Sequence, residues 1–472
     1  MANQTLAKRI GAEELRERIV NGSIVNTMFW LAWPIIVANL VNMSYNLIDA
    51  FWLGKLGKEA FGAPTVCWPL IMLFYSVGMG YAMAGIALTS QYLGAGDIEL
   101  TERSAGQLVS FLLSGALALS LLGFIFVPHV LLFMGVPQDI YPLAVSYARI
   151  IFLGIPLVFL GFAFNTIANA IGDTRTPTLL NVSSAFANII LDPIMIFGLF
   201  GFPKMGVAGA AVATVISRSI VSIIGGYLLF KGFRGIRIQL KYLRIEGWWL
   251  RKIFSIGTPL SVQQSFNALG FTVMMSIVSR FGSVMVAAYG VAIRIINVVE
   301  AFTWGLNRAT AIMVGQNIGA EKYGRAKSIA KTSIMLTVGT LTLGTLLIFF
   351  FRGALISVFI SDPKVIIEGS KLIQIISVSI PFFGMFFITG AVANGSGHTK
   401  FFAILSIIRL WVLRIGLSIL LALTMGLGSI GVWLAMSISN VGSGLVALAW
   451  ISKGTWLKKV IEIPVKPYSR ML

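Results

Sequence analysis

Twelve long apolar stretches, separated by short polar segments, dominate this sequence. A helix that crosses a membrane needs about 20 mostly apolar residues, and each stretch is long enough for one crossing. Charged residues make up only 11% of the 472 residues, so little of the chain is left for a water-soluble domain. The pattern predicts an all-α integral membrane protein with twelve transmembrane helices. The stretches fall at 25–50, 60–92, 104–127, 140–170, 177–200, 206–230, 250–279, 285–315, 328–351, 365–392, 401–425 and 429–452.

The formal net charge of +19 is concentrated on one side of the predicted membrane. The termini and the even-numbered connections together carry more than three times as many Lys and Arg residues as the odd-numbered connections, which carry six. Because cytoplasmic loops are enriched in basic residues, both termini should be cytoplasmic in a protein of the cell membrane. The basic residues lie in short loops without interleaved aromatic residues, so we expect no nucleic-acid partner.

The chain repeats itself at one constant displacement of 225 residues. Each half contains six stretches, an even number, so the two halves should insert with the same orientation as parallel repeats. This arrangement predicts two pseudo-symmetric six-helix bundles in a V-shaped molecule with a cavity between them. The repeated residues include Pro34 and Pro259, Gly57 and Gly282, Gln91 and Gln316, Gly94 and Gly319, Pro156 and Pro381, and Gly172 and Gly397.

The repeat also predicts the domain organisation. We expect an N-terminal lobe over residues 1–230, a basic cytoplasmic linker over 231–249 and a C-terminal lobe over 250–472. Two bundles of like orientation that rock about a shared cavity form an alternating-access transporter.

Two acids lie inside apolar stretches of the first lobe, Asp49 in the first and Asp192 in the fifth. An ionised side chain costs about 3 kcal/mol or more at that depth, so such residues usually have a function. Each acid ends a polar stripe on one face of a helix. The stripes comprise Asn39, Asn42, Asn46 and Asp49 in the first stretch, and Asn181, Ser184, Asn188 and Asp192 in the fifth.

The facing stripes allow more than one interpretation. The amides and carboxyls can act as hydrogen-bonding contacts between helices, each worth about 0.6 kcal/mol. Alternatively, two acids that share a buried site form a proton acceptor that works near neutral pH. A third possibility, for the same carboxylates in ionised form with Asn188, is a site for a hard cation such as Na⁺.

The second lobe lacks the paired acids, since the residues equivalent to Asp49 and Asp192 are Met274 and Leu417. Coupling by protonation should therefore occur in the first lobe. Glu300 could pair with Arg308, either as a structural ion pair or as a coupling site. We interpret Arg149, Arg218, Arg294 and Arg414 as snorkelling or helix-end residues rather than ligands.

Several motifs of this chain resemble the multidrug and toxic compound extrusion family. They are the first stretch from Pro34 to Asp49 with the following Gly54-Lys55-Leu56-Gly57, the loop from Gln91 to Gly96, the turn from Asn169 to Thr174, Asn188 to Pro193, and Gly206 to Thr214. The resemblance extends over nearly the whole chain.

The resemblance implies export of amphipathic, often cationic compounds in exchange for H⁺ or Na⁺, without another cofactor. It assigns Asp49 and Asp192 as coupling carboxylates, with Tyr45, Asn188 and Thr214 as polar partners. Asp49, Asn188, Asp192 and Thr214 would also be the Na⁺ ligands. Tyr147 would line the substrate cavity together with Asn42, Asn46 and Asn181, and Pro34 would be the hinge of the first helix. We expect the protein to act as a monomer in the lipid bilayer.

Two other functions compete with drug export. A lipid-precursor flippase of the same superfamily would need basic groups for a pyrophosphate, for which Arg218, Arg294, Arg308 and Arg409 are candidates. A membrane enzyme or an ATP-driven pump is disfavoured because the sequence has two histidines, one cysteine and no phosphate-binding Gly-x-x-x-x-Gly-Lys loop.

Overall fold

The computed structural model describes residues 2–461, which form an all-helical bundle. An N-terminal helix precedes six helices of the first lobe and seven of the second. They are α1 (Ala2–Asn21), α2 (Ile24–Leu56), α3 (Lys58–Gly94), α4 (Ile98–Phe133), α5 (Tyr141–Ala170), α6 (Arg175–Phe197), α7 (Val207–Lys231), α8 (Gly247–Ser279), α9 (Ser283–Gly319), α10 (Tyr323–Ser357), α11 (Pro363–Ser377), α12 (Ile380–Ser396), α13 (Thr399–Ile407) and α14 (Gly428–Lys453). Two π-helical segments, Ile408–Gly416 and Ile419–Thr424, extend α13.

Twelve spans result from these helices, as predicted. Ten are long and apolar enough to cross a membrane, and α11 with α12 forms an eleventh span that is bent by 59°. The twelfth is α8, whose 33 residues include the polar group Gln263, Gln264 and Asn267. Large apolar side chains such as Leu121 and Phe350 are exposed on the outside, where they face lipid.

The break between α11 and α12 is the main departure from the predicted stretches. The stretch at 365–392 was expected to be one helix, and its counterpart α5 is continuous. The ring of Pro381 opposes a continuous helix. The hydroxyls of Ser377 and Ser379 donate to the carbonyls of Ile373 and Ile376, which compensates polar groups at the break. The equivalent positions of the first lobe hold phenylalanine and glycine, which offer no such hydroxyl.

The two lobes cross each other at one pair of contacts that the repeat relates. A Cβ atom at Gly80 of α3 would lie 2.4 Å from Ser261 N of α8, and one at Gly305 of α9 would lie 2.6 Å from Ile36 Cγ1 of α2. The residues of each contact are displaced by 225 from those of the other. Glycine is therefore needed where helices of opposite lobes approach closely.

A second symmetric contact closes one end of the bundle. A Cβ atom at Gly94 would lie 2.1 Å from Gln316 O, and one at Gly319 would lie 2.1 Å from Gln91 O. The Gln91 amide donates to Gly395 O at 3.2 Å, and the Gln316 amide donates to Ala170 O at 2.8 Å. We call this end, where α3 and α9 finish, the closed end.

Segments near both termini cover the closed end. Arg16 of α1 donates through Nε and Nη2 to Gly94 O at 3.0 and 2.8 Å. On the second lobe, Asn317 donates to Ile19 O at 3.3 Å. Val460 N donates to Gln91 Oε1 at 3.1 Å. The contacts bind α1 and the segment after α14 to the helices that meet at this end.

Candidate functional site

The two buried acids of the first lobe meet, as the polar stripes predicted. Asp192 on α6 is fully buried, and its carboxyl group is hydrogen-bonded to that of Asp49 on α2. Two ionised carboxylates repel each other, so this contact requires a proton on one of them. Asp49 Oδ1 is buried without a hydrogen-bond partner among the described residues.

Asn188 links the acid pair to α7. With its amide turned so that both ends find partners, Asn188 donates to Asp192 Oδ2 at 2.8 Å. Its oxygen accepts from Thr214 N at 3.2 Å and from the Ser217 hydroxyl at 3.3 Å. Asn188 lies one turn before Asp192 on the same face of α6, as the predicted stripe places it. Its side chain can therefore contact both Asp192 and residues of α7.

Tyr45 and Thr214 complete the group. The Tyr45 hydroxyl lies 3.4 Å from Thr214 Oγ1, and Tyr147 is buried close enough to Asp49 and Tyr45 to interact electrostatically with both. All five residues predicted for ion coupling therefore lie together. Among the described residues, no group of three or more His, Cys, Asp or Glu side chains could hold a metal ion.

Arg218 belongs to this group although we expected it at a helix end. It lies close enough to Tyr45 and Asp49 to interact electrostatically with both. The available signal was its position four residues after Thr214, which places both on one face of α7. Ser217 and Asn165 were also missed, because neither lies on a polar stripe.

A polar cavity of about 50 Å³ lies beside the acids toward the closed end. Asn42 and Asn181, predicted for the substrate cavity, line it. Asn181 donates to Asn165 Oδ1 at 3.0 Å. The side chain of Asn46 lies outside the described part of the chain. A space of this size holds a few water molecules but no drug-sized compound.

The equivalent region of the second lobe contains arginines instead of acids. Arg409, at the position that corresponds to Ser184, lies 4.5 Å from the ring centre of Phe386. Asn440 Oδ1 accepts from Arg409 Nη1 at 3.3 Å and from Arg414 Nη2 at 2.7 Å. Arg409 Nε is buried without a hydrogen-bond partner among the described residues. Two cations therefore share one neutral acceptor inside this lobe.

Glu300 faces these arginines. It interacts electrostatically with Arg414 and Arg409. An ion pair with Arg308 is not among those that the described residues form. The two positions are eight residues apart on α9, about 12 Å along a helix, which exceeds the reach of a direct pair. Arg414 also donates to Ser439 Oγ at 3.1 Å and lies in the lobe interior rather than at a helix end.

A duplicated bundle of twelve membrane-spanning helices, closed at one end and carrying buried titratable groups, defines a membrane transporter rather than an enzyme. Comparison with known proteins identifies the family. The sequence profile described as MatE matches twice, at residues 34–194 and 259–420. The chain belongs to the MatE family.

Relatives of nearly the same length support this assignment. Probable multidrug resistance protein YoeA of Bacillus subtilis is 28% identical, with 93% of this chain and 96% of YoeA covered. A FAD transporter of Shewanella oneidensis is 26% identical, with 91% and 95% covered. A structure of a multidrug resistance MATE family transporter in its outward-facing conformation has a TM-score of 0.86 at 24% identity and covers 95% of this chain and 99% of that chain. That structure shows the shared fold.

Proposed function

We propose that this transporter exports amphipathic cations in exchange for protons, and that Asp49 and Asp192 carry the exchanged protons. The observation that supports the proposal is the contact between the two carboxyl groups in the interior of the first lobe. A proton and a cationic compound compete for the same negative charge there. Protonation can drive transport only if it favours one conformation of the protein.

The polar neighbours give the acids their roles in this proposal. Asn188 and Thr214 orient Asp192, Tyr45 connects Thr214 to Arg218, and the cavity beside the acids lets water reach them. Na⁺ is the less favoured coupling ion, because a hard cation needs about six oxygen ligands and the Asn188 oxygen already accepts two hydrogen bonds. The substrate-cavity residues of the proposal are Tyr147, which lies against Asp49, and Asn42, Asn46 and Asn181.

Pro34 provides the hinge in the same proposal. The residues on either side of it pack against α9, where a Cβ atom at Gly305 would lie 2.7 Å from Ala32 O. A proline inside α2 removes one helix hydrogen bond, so α2 bends at low cost at the point where it leaves the other lobe.

The proposed arrangement in the membrane follows from charge. The two lobes comprise 1–230 and 250–472, with 231–249 as the linker, and residues 462–472 lie outside the described part. The basic termini and linker favour a cytoplasmic closed end. On this basis we propose that the structure represents the outward-facing state. We propose that the protein acts as a monomer in the cell membrane.

Transport into vesicles tests the exchange. Purified protein in liposomes should move a fluorescent organic cation under an imposed pH gradient, and less under a sodium gradient of equal size. Asp49→Asn and Asp192→Asn should each reduce the pH-driven rate at least tenfold. Asp139→Asn, at an exposed loop acid, should leave the rate unchanged. Transport that follows only the sodium gradient would contradict proton coupling, and full activity of both acid variants would contradict the site.

Buried arginines favour a second candidate function, export of compounds that carry phosphate. Arg409 and Arg414 share Asn440 and outnumber Glu300, so an anionic group would balance their charge. The same vesicles should then move FAD, and Arg414→Gln should stop FAD transport without affecting the organic cation. Equal FAD transport by the variant and the original protein would dismiss this candidate.

A further inference from the structure

The π-helical segment Ile408–Gly416 of the second lobe brings two buried arginines to one place. Arg409 and Arg414 are five residues apart, which in an α-helix sets side chains about 140° apart around the axis. The hydrogen bonds of a π-helix join residues five apart, so here the two side chains lie nearly one above the other. Both therefore reach Asn440 Oδ1 on α14, at 3.3 and 2.7 Å. Turns of this kind occur frequently at functional sites, which makes the segment a candidate binding site.

The corresponding segment of the first lobe shows that the fold does not require this arrangement. It lies within α6, a continuous α-helix, where Ser184 and Ile189 occupy the positions of the two arginines. The Ser184 hydroxyl donates to Ser217 O at 2.6 Å. The two acids of the first lobe are also absent at the equivalent positions, which hold Met274 and Leu417. The second lobe thus carries two cations without the carboxylates that could balance them.

The arginines leave an excess of positive charge inside this lobe. Arg409 is 5% exposed and Arg414 is 7% exposed, and an arginine keeps its proton in proteins. Glu300 on α9 is the one acid among the described residues that interacts electrostatically with them, and it forms no ion pair with either. Even when Glu300 is ionised, one positive charge has no counterpart. Because an unbalanced charge is costly inside a membrane-spanning bundle, an anion beside the arginines would stabilise the lobe.

The surroundings of Arg409 indicate which anion would fit. Its Nε is buried without a hydrogen-bond partner among the described residues, so one donor is free for an acceptor. The ring centres of Phe386 and Phe383 lie 4.5 and 5.4 Å from its guanidinium group, which makes the environment apolar. Transfer of a multiply charged phosphate from water to such a place costs more than transfer of a monovalent ion. A single negative charge also suffices to balance the excess.

We propose that the second lobe binds a chloride ion beside Arg409 and Arg414, with Arg409 Nε as one of its donors. The ion belongs to the resting protein and is not the exported compound. The inference therefore goes beyond the proposed exchange and does not depend on it.

Melting temperatures of the purified full-length protein test the chloride site without a transport measurement. Replacement of sodium gluconate by sodium chloride at constant ionic strength should raise the melting temperature in a saturable manner, by about 3 °C or more. Arg409→Gln and Arg414→Gln should each remove this increase, because Glu300 then balances the remaining arginine. Arg280→Gln, at an exposed arginine just after α8, should keep it.

Three outcomes of these measurements would overturn the inference. The first is a melting temperature of the original protein that does not change with chloride. The second is an equal increase in the original protein and in both glutamine variants of the π-helical segment. The third is equal stabilisation by sodium phosphate, which would favour an oxyanion at the arginines.

Crystals of the original protein grown in sodium bromide give a second test that does not require the variants to fold. Bromide takes the place of chloride and scatters X-rays anomalously near its absorption edge. An anomalous peak should lie in contact with the guanidinium groups of Arg409 and Arg414. Crystals with no such peak, or with peaks at surface residues only, would show an adventitious ion only and would also overturn the inference.

Discussion

Individual side chains at the end of the linker decide how the lobes are joined. Glu246, just before α8, accepts from Arg103 Nε of α4 at 2.7 Å and also pairs with Arg103 Nη2. Trp248 Nε1 donates to the same carboxylate at 2.5 Å, and Glu246 N donates to Gln107 Oε1 at 3.1 Å. This group attaches the start of the second lobe to a helix of the first.

Glu246→Gln should destabilise the protein in a pH-dependent manner. Burial opposes ionisation of Glu246, but hydrogen bonds from Arg103 and Trp248 prevail and lower the pKa of the carboxyl. The folded pKa is then below the unfolded one, so the stabilisation is complete above the unfolded pKa and is lost as pH falls through the folded pKa. Both partners are partly exposed, so the effect is about 1 kcal/mol.

Melting temperatures of both proteins between pH 7 and about pH 3 measure this effect. The variant should melt lower at pH 7, and the difference should shrink below about pH 4, where carboxyl groups become protonated. Glu14→Gln, at an exposed acid of α1, should match the original protein throughout. A difference that stays constant over the whole range would contradict the assigned role of the carboxylate.

Residue patterns predicted which side chains of the first lobe meet, but not all of them. Asp49 and Asp192 stood out because acids are costly in an apolar helix. Arg218 did not, because an arginine can also extend to a helix end. Whether Arg218 points to the acids or to a helix end depends on the rotation of α7 relative to α2. The packing of the whole lobe determines that rotation.

At the level of elements, helix positions followed from apolar length, whereas breaks did not. Pro156 and Pro381 occupy equivalent positions, yet only the second is at a bend. Serines are common in helices and do not by themselves predict a bend. The role of Ser377 and Ser379 follows only from their hydrogen bonds to the carbonyls of Ile373 and Ile376 in the structure. The π-helical continuation of α13 was likewise not predicted, since apolar length does not distinguish it from an α-helix.

Gly94→Val should open the closed end. The added atoms would meet the backbone oxygen of Gln316 rather than a side chain that can move away. Conformations in which α3 and α9 touch then become costly, and the population shifts to those in which they separate. Ser396→Cys, at a buried position, with Cys67→Ser to remove the native thiol, provides a single cysteine for labelling. With Gly94→Val, this cysteine should react with a water-soluble thiol reagent at least tenfold faster than with Gly94 unchanged, equivalent to about 1.4 kcal/mol.

Gly324→Val is the matched control for this experiment. Gly324 lies in the first turn of α10 near the same end, and a Cβ atom there meets nothing within 4 Å. In the Gly324→Val variant, the cysteine at position 396 should react with the thiol reagent at the same rate as with Gly324 unchanged. Equal labelling of both valine variants would show that the Gly94 contact does not hold the end closed.

For the whole molecule, the repeat predicted two lobes of similar helix order but not their full chemical asymmetry. Ser184 and Arg409 are equivalent in the chain, yet one lines a small cavity and the other lies against Phe386. The way in which α1 and the segment after α14 cover the closed end was also beyond prediction. The positions of both segments depend on contacts with the assembled lobes, such as those of Arg16 with Gly94 O and of Val460 N with Gln91 Oε1.

Arg16→Ala should weaken closure without changing a residue of α3 or α9. The two hydrogen bonds to Gly94 O hold α1 where α3 and α9 cross, and a hydrogen bond from a charged group contributes about 1.5–3 kcal/mol when buried. Arg16 is half-buried, so we expect labelling at position 396 to rise about three- to tenfold. Glu14→Ala, on the exposed face of α1, serves as the control. Because α1 contacts both lobes, unchanged labelling in Arg16→Ala would mean that closure is determined by α3 and α9 alone.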